Sequence, residues 1–240
     1  MIKKLAILIP RRNRSPRDFF HSDHYLRHTA RRLEHLASLG VPMAGCSVLE
    51  LGAGIGDHTG YFIDRGCSVL ATDAREGNLQ VLRERHPHCL TLLLDMTQPA
   101  LPTNLHFEVV HSYGLLYHLP DPVTAVARMA DWCSDLLLLE TCVSATTDGP
   151  NVVPEDRTNP TQAQDGHGCR PGRRWLFDSL KSHFKYVYST RTQPRHPEFP
   201  LDWTSTDPTQ LTRAVFVCSR RPLDLPSLTT ELKDRHQPQP

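Results

Sequence analysis

Four groups of residues in this chain have types and spacing that could do chemistry. The first is the turn Glu50-Leu51-Gly52-Ala53-Gly54-Ile55-Gly56, which follows a short apolar run. A glycine-rich turn after a strand lets a ligand approach the backbone closely. A dinucleotide-binding turn needs G-x-G-x-x-G, and here Asp57 stands where the third glycine would be. An acid there, close to a helix start, repels a pyrophosphate and suits amine or hydroxyl groups. Glu50 strengthens that preference. The second group is a pair of acids. Asp73 closes the next apolar run, about 20 residues on, where a carboxylate accepts bonds from ribose hydroxyls. Asp95 closes the run after that and could accept a bond from an adenine amino group.

The third group is His118, in Leu116-Tyr117-His118-Leu119-Pro120, with Glu140 at the end of a later apolar run. The ordinary pKa of an imidazole suits a general base near neutrality, and a structural role for His118 is the competing reading. Glu140 could orient His118, bind substrate or hold a metal, and a helix cap in the following Thr141 region is the competing reading. The fourth group lies in two polar loops. Asp165-Gly166-His167-Gly168-Cys169-Arg170-Pro171-Gly172 has the glycines of a hinged lid, with His167 and Arg170 as substrate contacts. His196-Pro197-Glu198-Phe199-Pro200-Leu201-Asp202-Trp203 sets aromatics beside acids, which suits a sugar or a planar ring. Tyr117, Trp175, His196 and Trp203 are further substrate candidates.

The elements that must position these groups alternate in type. Apolar runs at Cys46–Leu51, Ser68–Asp73, Leu90–Leu94, Phe107–Ser112 and Asp135–Glu140 are separated by helix-length segments. That pattern predicts a parallel sheet covered on both faces. Ahead of it, residues 18–39 predict a helix capped at Ser22-Asp23 and stopped by Gly40. Tyr25, His28 and Arg32 share one face of that helix. After it, residues 142–174 lose periodicity, Trp175–Phe184 predicts a helix, and Lys185–Thr190 and Arg213–Ser219 predict strands. Residues 192–208 form a second Pro-rich loop. The polar stretch 221–240 predicts a frayed tail.

The chain has 240 residues and a net charge of +1, which fits one domain over residues 1–220, with 1–45 as a cap segment. The near-zero charge argues against a protein that coats nucleic acid. Seven cysteines without a CxxC pair predict reduced thiols and no structural zinc. Asp95, His118, Glu140, Asp165 and His167 carry ligand atoms but share no ligand spacing, so no metal is assigned. The N-terminal apolar run is too short for a signal peptide core, and no stretch reaches the roughly 20 apolar residues of a membrane span. A cytoplasmic monomer or homodimer, without membrane contact, is the expectation.

Taken together, Val48 to Gly56, Asp73, Asp95 and Ser112-Tyr113-Gly114-Leu115-Leu116-Tyr117-His118-Leu119-Pro120-Asp121-Pro122 resemble the class I S-adenosylmethionine (SAM)-dependent methyltransferases. The resemblance spans about residues 45–145. It implies a doubly wound α/β fold: a mostly parallel seven-strand sheet with a final antiparallel strand near Arg213–Ser219. An N-terminal helical cover and a long loop insertion complete it. It implies SAM as cofactor, with Glu50, Gly52, Ala53, Gly54 and Gly56 around its methionine part. Asp73 and Ala74 would face the ribose, Asp95 and Met96 the adenine. Ser112 and Tyr113 would lie near the methyl group, and Tyr25 near the carboxylate. The expected activity is methyl transfer to a small molecule, at a hydroxyl of a sugar or natural product. An Asn-Pro-Pro-Tyr-type motif for amino acceptors is absent. The alternatives are an RNA-modifying enzyme and a non-catalytic SAM-binding partner protein. The first is suggested by the resemblance of Gly114 to His118 to enzymes that alkylate the tRNA wobble uridine. The basic residues Lys3, Lys4, Arg11, Arg12, Arg14 and Arg17 point the same way.

Overall fold

A computed structural model describes residues 15–98, 104–207 and 209–239. Two helices build the cover. Helix α1 (Pro16–Phe20) leads into α2 (Asp23–Ser38), whose N-cap Ser22 accepts from the Tyr25 amide. Gly40 follows α2 with φ +68°, the left-handed turn that ends it.

Strands and helices then alternate as the apolar runs predict. They are β1 (Ser47–Leu51), α3 (Thr59–Ile63), β2 (Ser68–Asp73), α4 (Glu76–Arg85), β3 (Leu90–Leu93), β4 (Phe107–Tyr113), α5 (Pro122–Trp132) and β5 (Cys133–Val143). A 3-10 turn, Leu116–His118, lies between β4 and α5. The chain continues through β6 (Val152–Pro154), β7 (His167–Cys169), α6 (Arg173–Lys181), β8 (Tyr186–Thr190), a 3-10 turn at Trp203–Ser205, β9 (Thr212–Ser219) and β10 (Leu228–Thr229).

The sheet order is β10-β8-β9-β5-β4-β1-β2-β3. Strands β3, β2, β1, β4 and β5 run parallel, and β9 inserts antiparallel between β5 and β8. Alternate residues of the buried strands feed two cores. Leu49, Val110, Leu137 and Leu139 face α5 and α6, while Val48, Val109, Leu136 and Leu138 face α2, α3 and α4. This is the doubly wound arrangement, in which both faces are covered and the strands read as continuous apolar runs.

Three expectations change. The sheet has eight strands, because β10 from the polar tail pairs antiparallel with β8. That tail is docked rather than frayed: Leu228 is buried, His236 receives the Trp203 indole N–H, and Asp234 pairs with Arg173. The loop 142–174 is not featureless either, since β6 and β7 pair within it. All seven cysteines are free, and among the described residues no helix is long and apolar enough to cross a membrane.

Candidate active site

The C-terminal ends of β1, β2 and β4 open onto one pocket, roofed by α1, α2 and the loop 160–165. Its floor is the glycine turn. Gly52 and Gly54 have φ +66° and +56°, a region that side chains rarely enter. A Cβ on Gly52 would lie 3.1 Å from Leu115, and one on Gly54 would lie 2.9 Å from the Phe20 ring. The turn is therefore a cradle kept open by the absence of side chains. Gly56 is also left-handed, but a Cβ there would meet Leu82 and His86, so it serves helix packing and lies off the pocket.

The acids arrive on strand ends. Asp73 accepts from the Gly54 amide at 2.9 Å, the Arg75 amide at 2.9 Å and the Asn78 side chain at 3.1 Å. Burial pushes its pKa up against those hydrogen bonds. Glu50 is 2 % exposed and accepts from the Thr59 hydroxyl at 2.6 Å. Burial pushes its pKa to about 8, with Thr59 acting in the opposite sense. A cation placed in this pocket would favour the ionised forms of both acids. Asp95 receives the Thr97 amide at 2.8 Å and hydroxyl at 2.7 Å through one oxygen. Together with Met96, Ala53 and Ala74 it lines the pocket. Asp57 also lines it, but Arg85 neutralises it at 2.5 Å, so its charge argues less against a phosphate than its position in the sequence suggests.

Strand phase corrects one cofactor assignment. His111 and Tyr113 of β4 face the pocket, so the intervening Ser112 points to the other side and is off it. Gly114 and Leu115 line the pocket beyond Tyr113, and Tyr25 closes it from α2. Six polar atoms of lining residues, His28 Nε2, Arg32 Nε, His58 Nε2, Asn78 Oδ1, His111 Nδ1 and the Tyr113 hydroxyl, are buried without a hydrogen-bond partner. Such atoms are costly unless a ligand satisfies them. Cradle, strand-end acids and orphaned polar atoms together fit a cofactor with an amino-acid part and a nucleoside part.

Further out lies a network of side chains from distant segments. Glu140, fully buried in β5, bridges Arg32 Nη1 at 3.0 Å and Arg213 Nη1 at 3.1 Å. Arg213 also donates to Glu198 at 2.6 Å and to the Tyr117 hydroxyl at 3.2 Å. Glu140 is thus committed to two arginines and does not orient His118. That part is played by Glu155, in the loop between β6 and β7, whose Oε2 lies 2.5 Å from His118 Nδ1. Burial pulls the His118 pKa down, while the Glu155 hydrogen bond and charge act the other way. Burial would raise Glu155, but its bonds to His118 and to the Ala163 amide outweigh it and hold the carboxyl low. At neutral pH the pair is therefore a neutral imidazole and a carboxylate. A carboxylate can only accept, so Nδ1 carries the proton and Nε2 is left with its lone pair.

The predicted substrate residues divide. Tyr117 lines the pocket. Arg170 stands behind it, bonded to the Tyr117 carbonyl at 3.4 Å and 3.6 Å from Glu155. His196 sits at the outer edge of the arginine network against His28. Three do not reach the site: His167 is exposed at the start of β7, Trp175 of α6 packs against the core, and Trp203 is stacked by Arg173 and tied to His236. Their aromatic and basic types are explained by packing and solvent. Residues that sequence reasoning passed over include Phe20, His111, Asn78, Glu155 and Arg213. Among the basic residues of the N-terminal patch, Arg17 pairs with Glu84 at 3.5 Å, and Lys3, Lys4, Arg11, Arg12 and Arg14 lie outside the described residues. No metal set was expected from spacing, yet the fold brings His24, His196 and Glu198 together.

Residues 48–135 match the family described as a methyltransferase domain. A tRNA U34 carboxymethyltransferase from Pseudoalteromonas translucida is 29% identical over 122 residues, which cover 48% of this chain and 38% of that enzyme. The N-terminal domain of EvdMO1 with SAH bound has a similar fold, with a TM-score of 0.63 at 22% identity over 83% of this chain and 85% of that one. The same domain crystallised in the presence of SAH and D-fucose gives 0.62, also at 22%. Residues 48–135 are thus similar to a methyltransferase domain, the chain shares the fold of the SAH-bound EvdMO1 domain, and the cradle and strand-end acids of the pocket fit SAM as cofactor.

Proposed function

We propose that the chain transfers a methyl group to a hydroxyl oxygen of a small polyhydroxylated acceptor, a sugar or a natural product. The observation that carries this reading is His118 in the pocket wall, paired with Glu155 behind it. Bound SAM supplies a sulfonium-activated methyl group. The Gly52–Gly54 cradle and Asp73 would hold the cofactor, with Tyr25 and Tyr113 beside them in the pocket. His118 Nε2 takes the proton of the attacking hydroxyl, and Glu155 keeps the ring in the tautomer that can do so. Tyr117, fixed by Arg213, borders the acceptor.

A small acceptor is supported by the roof over the pocket. Arg75 donates to the carbonyls of Arg157 at 3.2 Å, Gln162 at 3.3 Å and Ala163 at 3.5 Å, and Asn78 donates to that of Pro160 at 3.3 Å. The loop is thereby fastened to the cofactor side. The EvdMO1 domain crystallised in the presence of D-fucose supports a sugar. The curated relative favours a second reading, a tRNA nucleoside as acceptor. Calorimetric titration with SAM, followed by SAH release on a panel of sugars, glycosides and total tRNA, separates them. Turnover on a sugar, insensitive to salt, is expected. Turnover on tRNA that falls steeply as salt rises supports the second reading. SAM binding without turnover on any acceptor points to a non-catalytic partner, and no SAM binding overturns all three.

A further inference from the structure

Helix α2 and the loop 192–208 meet at the outer end of the Arg213 network, where four ligand-type side chains converge. His24 and His28, one helical turn apart, stack with ring centroids 6.0 Å apart. His196 packs edge-on against both, at 5.7 and 4.9 Å. Glu198 places Oε1 3.5 Å from His24 Nε2 and Oε2 3.6 Å from His28 Nε2. Ligand atoms of His24, His196 and Glu198 all lie within 4.8 Å of one another. Two ligands on one tetrahedral zinc, with bonds near 2.1 Å, stand about 3.4 Å apart. The His24–Glu198 spacing of 3.5 Å already matches, and His196 lies within 4.8 Å of both.

A second observation points to a ligand. His28 is 3 % exposed, and its Nε2 is buried with no hydrogen-bond partner although it faces the Glu198 carboxylate. A buried nitrogen left orphaned beside an acid is the kind of group a cation would satisfy. From this convergence we infer that His24, His196 and Glu198 bind a divalent transition metal, with His28 completing the set. Three imidazoles and one carboxylate suit zinc, cobalt, nickel or copper, and suit magnesium or calcium poorly. Glu198 ligates through Oε1 and keeps Oε2 on Arg213, to which it is bonded at 2.6 Å. The metal then ties the helix that carries Tyr25 and Arg32 to the loop that positions Arg213. It is a clamp at the mouth of the pocket, and it does not depend on which acceptor is methylated.

The test uses the full, untagged chain stripped by a chelator. Zinc chloride is titrated calorimetrically, and cobalt chloride is followed by visible absorption. One equivalent of zinc and visible cobalt d–d bands are expected. His24→Ala and His196→Ala should each weaken zinc at least about tenfold. His88→Ala, at an exposed position outside the cluster, should leave binding unchanged. Saturating zinc should raise the thermal midpoint of the unsubstituted chain and not that of His24→Ala, which alters an exposed side chain and keeps the fold. Absence of stoichiometric binding overturns the proposal. Binding or thermal stabilisation that survives both substitutions does so too, because the metal would then sit on other histidines or thiols.

Discussion

The two halves of the pocket are built by different means. On the cofactor side, the ends of β1 and β2 present backbone. Gly52 and Gly54 supply left-handed turns, and the Asp73 carboxylate accepts the Gly54 amide. Every part lies within a few residues of a strand end. On the proposed acceptor side, Arg32, Tyr117, Glu140, Glu198 and Arg213 come from five separate segments and meet only through side chains. The first half is held by local geometry. The second is held by an ion network whose members are useless apart. Damage on the two sides should therefore separate: turnover and stability on one, cofactor affinity on the other.

The largest effect is expected from His118→Asn. Loss of a general base should lower kcat by about 10²–10⁴-fold, while calorimetric SAM affinity stays close to that of the unsubstituted chain. A parallel loss of SAM binding would place His118 in the cofactor half and dissolve the comparison. Glu140→Ala follows. It strands Arg32 and Arg213, 7 % exposed each, without their shared carboxylate. Removing one partner of a buried ion pair costs about 3–5 kcal/mol, read as a lowered urea midpoint at unchanged slope. Stability within about 1 kcal/mol of the parent, the range of surface pairs, would show the network to be solvated.

These two halves also differ in how far the sequence discloses them. The glycine turn, Asp73 and Asp95 are legible because strand, turn and acid are neighbours in the chain, and the apolar runs locate the strand ends. The phase of β4 and the packing role of Gly56 are the local details that mislead. Ser112 and Tyr113 are adjacent in sequence, but a period of two sends them to opposite faces. Glu155 is invisible beforehand because it lies in an aperiodic loop 37 residues from His118. Arg213 reads as the first residue of a strand, and nothing nearby marks the buried Glu140 as its partner. Leu228 and Thr229 carry no strand pattern of their own. They pair because β8 offers a free edge, a property of the assembled sheet.

Gly54→Ala tests the cofactor half by itself. A side chain at φ +56° costs about 1–2 kcal/mol, and its Cβ would press on the Phe20 ring at 2.9 Å. SAM affinity should fall roughly tenfold, with the Arg32–Glu140–Arg213 network and the urea midpoint little changed. Unaltered affinity would mean that the turn does not hold the cofactor.

Glu155→Gln gives the finest discrimination, because it leaves the base in place and alters only its partner. Turnover should drop roughly tenfold, the loss of one charge-assisted hydrogen bond. SAM affinity should not move. The pH profile carries the sharper sign. Burial lowers the His118 pKa, and the Glu155 hydrogen bond and charge raise it back in part. The base works only when neutral, so the acid limb of kcat follows the His118 pKa. Taking away the carboxylate charge removes a raising influence, and the acid limb must move to lower pH. If Glu155 served only to pin the lid through the Ala163 amide, 2.7 Å from its Oε2, the variant would lower turnover while leaving the acid limb where it was. A limb that stays put or shifts upward would mean that the Glu155 charge does not raise the His118 pKa, and the acceptor half would lose its base–carboxylate pair.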